Sequence, residues 1–141
     1  MDLKKRLNRV LLVDDDESAN FLNKMILTRT GMVEEIVSSL NGEEALRWLE
    51  GMQTGSDKAG KEPLLLFLDI NMPVMDGWEF LDHYNEKKAQ GAIIYMLSTS
   101  QNPEDVQRAR QIQSVKGFLH KPLTANDLDK VVATHYSYLM K

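Results

Sequence analysis

Compact apolar runs alternate along this chain with longer stretches in which apolar residues recur every three or four positions. Runs of Leu, Ile, Val and Phe predict strands at 9–14, 33–38, 64–69, 92–97 and 117–120. Between the first two, Ala19, Leu22, Met25, Ile26 and Arg29 follow helical spacing, and Gly31 stands where a helix C-terminus needs a left-handed residue. Asn41-Gly42-Glu43-Glu44 predicts an N-cap with a returning Glu, opening a helix that buries Ala45, Leu46 and Leu49. Asn102-Pro103-Glu104-Asp105 combines a cap, a first-turn proline and acids at the positive dipole end. Thr124 with Asp127 opens a last helix whose stripe is Leu128, Val131, Val132, His135 and Leu139.

Five strands alternating with five helices form repeated βα units, and strands this continuously apolar suit a parallel sheet covered on both faces. The predicted fold class is therefore α/β, a three-layer sandwich. Right-handed crossovers bring the C-terminal ends of all strands to one edge, where open α/β sheets bind their ligands. Residues 52–62 are polar and glycine-containing and predict a long flexible surface loop, not a linker between domains. No internal repeat is visible, and 141 residues fit one domain, 1–141.

Composition narrows the class. The chain has no cysteine, which excludes disulfides, thiolate metal sites and cysteine nucleophiles, and suits a reducing cytoplasm. No apolar stretch approaches the roughly 20 residues that cross a bilayer, so no membrane partner is expected. A formal charge of −4 argues against nucleic acid as the main partner. The basic residues Lys4, Lys5, Arg6 and Arg9 read as a solvated start. The eight methionines are scattered and read as core filler, and His83, His120 and His135 lack ligand spacing. Trp48 reads as helix packing; Trp78 reads first as core packing and second as a fluorescence reporter near the strand ends.

The chemistry lies at those ends. Asp69 closes the run Leu64-Leu65-Leu66-Phe67-Leu68, and Val10-Leu11-Leu12-Val13 runs out into Asp14-Asp15-Asp16. On adjacent parallel strands these carboxylates would make an oxygen-rich, strongly negative pocket suited to a hard cation such as Mg²⁺. Ser98 and Lys121 add a neutral hydroxyl and a cation at the ends of two later runs. The triple Asp permits two registers for the acidic pair; because the apolar run stops at Val13, Asp14 and Asp15 fall on the strand tip and Asp16 begins the loop.

Val13-Asp14-Asp15, Asp69-Ile-Asn-Met-Pro-Val-Met-Asp-Gly77, Leu97-Ser98-Thr99 and Gly117-Phe-Leu-His-Lys121-Pro122, in that order, resemble the receiver domain of two-component response regulators over residues 8–140. The resemblance implies a CheY-like stand-alone receiver with flavodoxin-like strand order 2-1-3-4-5. Asp69 is then the phosphoacceptor, taking a phosphoryl group from a phosphohistidine on a sensor histidine kinase or histidine phosphotransfer protein, with Mg²⁺ or Mn²⁺ as cofactor. Asp15 matches the direct metal ligand, Asp14 the one acting through metal-bound water, and Asn71 the backbone carbonyl ligand. Ser98 matches the phosphoryl-binding hydroxyl, Thr99 the usually small position after it, Lys121 the ammonium that pairs with Asp69 or its phosphoryl oxygen and Pro122 the partner of a cis peptide. Phe118 matches the switch aromatic of an output surface on the fourth helix, fifth strand and fifth helix, with Val106, Arg110 and Gln113 as candidates.

Asn71 and Ser100 match positions that tune the lifetime of the phosphoryl group. The resemblance further implies a cytoplasmic protein that is not a turnover enzyme, acting on a downstream target that the sequence does not identify. Pairing of two copies through the last helices on phosphorylation stays open. Two other classes remain: an interaction module working without phosphorylation, and a metal-dependent hydrolase passing through an aspartyl phosphate. The hydrolase generally needs a second acid two residues past its nucleophile, where this chain has Asn71.

Overall fold

The computed structural model describes residues 6–54, 62–86 and 91–140. Its order is β1 (Leu7–Val13), α1 (Glu17–Thr30), β2 (Val33–Ser39), α2 (Gly42–Thr54), β3 (Leu64–Leu68), α3 (Gly77–Glu86), β4 (Ala92–Ser98), α4 (Pro103–Arg110), β5 (Val115–His120), α5 (Ala125–His135) and a 3₁₀ turn at Ser137–Met140. The strands make one parallel sheet in the order β2-β1-β3-β4-β5. The α/β class and the 2-1-3-4-5 order expected from the sequence are both present.

Alternation along the strands builds two cores. Leu11, Val13, Leu66, Leu68, Ile94 and Met96 face one way, toward Ala45, Leu46, Leu49, Phe80, Leu81 and Ala109 of α2, α3 and α4. Val10, Leu12, Leu65, Phe67, Ile93 and Leu97 face the other way, toward Leu27 of α1 and Leu128, Val131 and Val132 of α5. Each fully buried Leu or Phe contributes roughly 1.5–3 kcal/mol of transfer free energy, so the central strands are fixed most firmly. All five residues of β3 are buried.

Several helix ends follow the predicted chemistry. Gly31 closes α1 in the left-handed region at φ 69°, and Asn41 accepts from the Glu44 N–H at 2.8 Å. Asn102 accepts from the Glu104 N–H at 2.9 Å. Thr124 and Asp127 exchange side chain and backbone bonds at 3.0 Å each, a reciprocal capping box. Thr124→Ala should lower stability by about 1 kcal/mol, measured as a drop in the urea midpoint with an unchanged slope.

The structure departs from the sequence reading in several places. Helix α1 does not bury Leu22, which is 44% exposed; its buried residues are Asn20, Asn23 and Leu27. The apolar spacing marks the helix but not its buried residues, because two of the inward positions are polar. Strand β5 starts at Val115, two residues before the predicted start, at a register irregularity opposite Ile94 and Tyr95. There Gly117 lies under the Tyr95 ring, 2.6 Å from where a Cβ would stand, so a bulkier residue would force the ring aside. Helix α5 ends at His135, so Leu139 reaches its core from the 3₁₀ turn. Predicted strands 9–14 and 64–69 end at Val13 and Leu68, leaving Asp14 and Asp69 just beyond them. Helix α2 runs through Thr54, so 52–54 of the predicted loop are helical; 55–61, with Lys4 and Lys5, lie outside the described residues.

Candidate functional site

Val13 of β1 pairs with Leu68 of β3, so the next residues, Asp14 and Asp69, leave neighbouring strands side by side. The ladder continues one step further, with the Asp69 N–H donating to the Val13 carbonyl at 2.9 Å and the Asp14 N–H to the Ser39 carbonyl at 3.0 Å. Asp14 and Asp69 are 4% and 6% exposed. Asp15 is exposed beside them, and one carboxylate oxygen from each of the three lies within 4.8 Å of the others. Asp16 takes a different part, capping α1 by accepting from the Ser18 N–H at 2.9 Å and the Ala19 N–H at 3.3 Å. Its own N–H donates to Asp14 Oδ1 at 3.0 Å.

Lys121 leaves the end of β5 and places Nζ 2.5 Å from Asp14 Oδ2 and 3.3 Å from Asp69 Oδ1. Its N–H donates to the Ser98 carbonyl at 3.0 Å, which ties the ends of β4 and β5 together. The Lys121–Pro122 peptide is cis. The Ser98 side chain is buried, and its Oγ accepts from the Ser100 N–H at 3.0 Å. Ser100 Oγ in turn donates to Asp105 of α4 at 2.6 Å. Thr99 is exposed, and so is Asn71. Phe118 is half-buried and stacks edge-on with His120 at 5.7 Å. With Val106, Arg110, Val115 and Lys116 it lines a cleft of about 330 Å³ between α4 and β5. Gln113 is exposed.

Three carboxylates face one ammonium, and the imbalance shows in the acid–base behaviour. Burial first and the Asp14 charge second push the Asp69 carboxyl up, Lys121 and the Ile70 N–H pull it down, and the net result is a rise from 3.8 to about 6. Burial alone would lower the Lys121 ammonium, but bonds and charge from Asp14 and Asp69 outweigh it and hold the ammonium above its ordinary value. Uncompensated oxygen charge in a half-open pocket fits a hard divalent cation, which the acidic cluster could hold.

The loop from Asp69 to α3 is shaped by close backbone approach. The Gly77 N–H donates to the Ile70 carbonyl at 2.8 Å. Val74 in this loop has φ 70° and is 84% exposed, an unfavourable conformation for a β-branched residue. Val74→Gly should raise stability by about 0.5–1 kcal/mol, the left-handed cost of roughly 1–2 kcal/mol less the backbone entropy of glycine; a thermal unfolding midpoint checks this. At the start of α3, Trp78 is buried and the Arg108 guanidinium of α4 lies 4.4 Å from its ring centre.

Sequence reasoning did not find the buried Asn20, Asn23 and Ser39, of which Asn20 and Ser39 bond to the Asp14 backbone and Asn23 to the Leu123 N–H. Their signal was present as Asn20, Asn23 and Leu27 at intervals of three and four, one face of a helix. A search for apolar residues passes over it.

The response regulator receiver domain family matches residues 10–133, and the chain belongs to that family. It is 30% identical over 123 residues to the nitrate/nitrite response regulator protein NarL of Escherichia coli strain K12, covering 87% of this chain and 52% of that protein. The chain thus spans about half the length of that relative. A two-component response regulator from Cytophaga hutchinsonii superposes with a TM-score of 0.82 at 33% identity, covering 96% of this chain and 98% of that one. Chemotaxis protein CheY4 of Vibrio cholerae superposes at 0.67 with 28% identity, covering 92% and 98%. Membership implies phosphorylation-dependent two-component signalling. Receiver domains of this kind are generally not turnover enzymes. Among the described residues no helix is long and apolar enough to cross a membrane.

Proposed function

We propose that this chain is a single receiver unit that accepts a phosphoryl group on Asp69 from a partner phosphohistidine and thereby switches a protein-binding surface. The observation that carries the reading is the Asp69 carboxylate, nearly buried beside Asp14 and Asp15 with the Lys121 ammonium 3.3 Å away. An Asp69 oxygen attacks phosphorus, the phosphorus–nitrogen bond breaks, and the histidine leaves with the electron pair and takes up a proton. The product is an acyl phosphate.

Phosphoryl transfer depends on positioning and on neutralising oxygen charge. Asp14, Asp15, Asp69 and the Asn71 carbonyl would hold Mg²⁺ or Mn²⁺, which supplies positive charge to the phosphoryl oxygens when bound. Lys121 gives up its contact with Asp69 and pairs with a phosphoryl oxygen. Ser98 Oγ already accepts from the Ser100 N–H, so its own proton is free to donate to another. Movement of Ser98 alters the start of α4 through Ser100 and Asp105, and Phe118 changes its seat on the wall of the cleft. The surface of α4, β5 and α5 is the output, with Val106, Arg110 and Gln113 as its candidate residues; phosphorylation of Asp69 biases its two-state equilibrium. The site of action is the cytoplasm.

Incubation with Mg²⁺ and acetyl phosphate, followed by intact mass measurement, tests the reading. A gain of about 80 Da, one phosphoryl group, is expected, and it should be absent without divalent cation. Rapid multiple turnover would instead support a hydrolase. No gain in mass with Mg²⁺ present would support an interaction module working without phosphorylation.

A further inference from the structure

The inward face of α1 is polar where it meets the site. Asn20 Nδ2 donates to the Asp14 carbonyl at 2.9 Å and to the Ser39 carbonyl at 3.4 Å, joining the ends of β1 and β2. Asn23 Oδ1 accepts from the Leu123 N–H at 3.0 Å, a contact between residues 100 positions apart. Asn23 is 2% exposed and Leu123 fully buried. An N–H in such surroundings is costly to leave without a partner, so this bond anchors the β5–α5 loop. Asparagine is a mediocre residue for a helix interior and a poor one for an apolar contact face. The bond to Leu123 accounts for its place there.

Two residues before Leu123 stands Lys121, whose ammonium bridges Asp14 and Asp69. Its side chain has four rotatable carbon links, so the ammonium is aimed only as well as the backbone beneath it is held. We propose that Asn23 is a positioning residue for phosphoryl transfer: its carboxamide fixes the backbone at Leu123, and with it the loop that aims Lys121 at Asp69. The proposal rests on Asp69 being the phosphoacceptor. It gives α1 a part in the chemistry although Asn23 touches none of the reacting atoms, and it accounts for a buried asparagine on a face where packing alone would place an apolar residue.

The test is a cycle of wild type, Asn23→Ala, Lys121→Ala and the double variant. Initial rates of adduct formation from acetyl phosphate with Mg²⁺ are the first readout. Asn23→Ala should slow the reaction roughly tenfold, and the double variant should be no slower than Lys121→Ala, because a residue acting through Lys121 has nothing left to act on. The second readout is Mg²⁺ affinity, followed by Trp78 fluorescence. The Lys121 ammonium competes with the cation for the same carboxylates. Lys121→Ala should therefore tighten Mg²⁺ binding, and Asn23→Ala should tighten it about twofold with no further gain in the double variant.

Leu27→Ala, on the same face of α1, controls for lost packing and should leave both readouts at wild-type values in the folded protein. Asn23→Leu fills the space without offering an acceptor and should reproduce Asn23→Ala, which also covers failure of the alanine variant to fold. Additive slowing in the double variant, or wild-type Mg²⁺ affinity in both Asn23 variants, would overturn the proposal. If wild type forms no adduct, the phosphoacceptor reading fails by itself, and the Mg²⁺ titration still decides whether Asn23 governs Lys121.

Discussion

Asp69→Asn should abolish the phosphoryl adduct and, at the same time, make the metal-free protein more stable at neutral pH. The amide lacks the anionic oxygen that attacks phosphorus, so the mass gain disappears. The stability effect follows from the raised carboxyl. Its folded value of about 6 lies above the ordinary 3.8, so folding favours the protonated form. That contribution is complete below about pH 4 and is lost as pH rises through 6. The metal-free wild type should therefore lose on the order of 2 kcal/mol between pH 4 and pH 7.5 relative to Asp69→Asn. Urea unfolding of both proteins at the two pH values measures the difference. Mg²⁺ should then close the gap by stabilising the wild type more, since a ligand that binds the folded state raises its stability by mass action. A variant less stable than wild type at pH 7.5 without metal would contradict the view that burial, with charge repulsion from Asp14 added, outweighs the Lys121 contact at this carboxylate.

Gly77→Ala should damage fold and chemistry together. A Cβ at Gly77 would stand 2.4 Å from the Asp69 carbonyl oxygen and 3.0 Å from Ile70 Cα. Both neighbours are backbone, so neither can swing aside, and the turn that carries Asp69 must shift. Overpacking of this kind costs about 1–3 kcal/mol. A displacement near 1 Å of a reacting group can slow a reaction about 100-fold, so adduct formation should fall by roughly that factor in the folded variant. Gly51→Ala on α2 is the contrast, because no atom lies within 4 Å of its Cβ position. There the same change should stabilise the helix by about 0.5–1 kcal/mol and leave the rate unchanged. Equal rates for the Gly77 and Gly51 variants would mean that the close approach at Gly77 does not hold Asp69 in place.

The parts of this molecule that could be read from the sequence are those in which one residue type has one local physical reason. Apolar runs located the strands, and Gly31, Asn41, Asn102 and Thr124 marked helix ends, because caps are set by the nearest few residues. The gathering of Asp14, Asp15 and Asp69 followed from parallel topology, which puts successive strand ends on one edge. What escaped depends on partners distant in sequence. The inward asparagines of α1 are explained by the backbone at Asp14, Ser39 and Leu123, which no local pattern reveals. The early start of β5 reflects the irregular register against β4, and the space under the Tyr95 ring needs coordinates to be seen. Asp16 shows the boundary well: its type suited either metal or cap, and only its bonds to Ser18 and Ala19 show it capping the helix.

Strand β3 is covered on both faces throughout, whereas every residue of β5 is half-exposed or exposed. The sheet is thus rigid at its middle and compliant along one margin. Amide protons of β3 should outlast those of β5 in deuterated buffer, since local opening is easiest where few apolar contacts must be broken. Under the proposed function, a chemical event anchored on the rigid part would meet little recoil there, and its deformation would be taken up at the margin, within reach of a second protein.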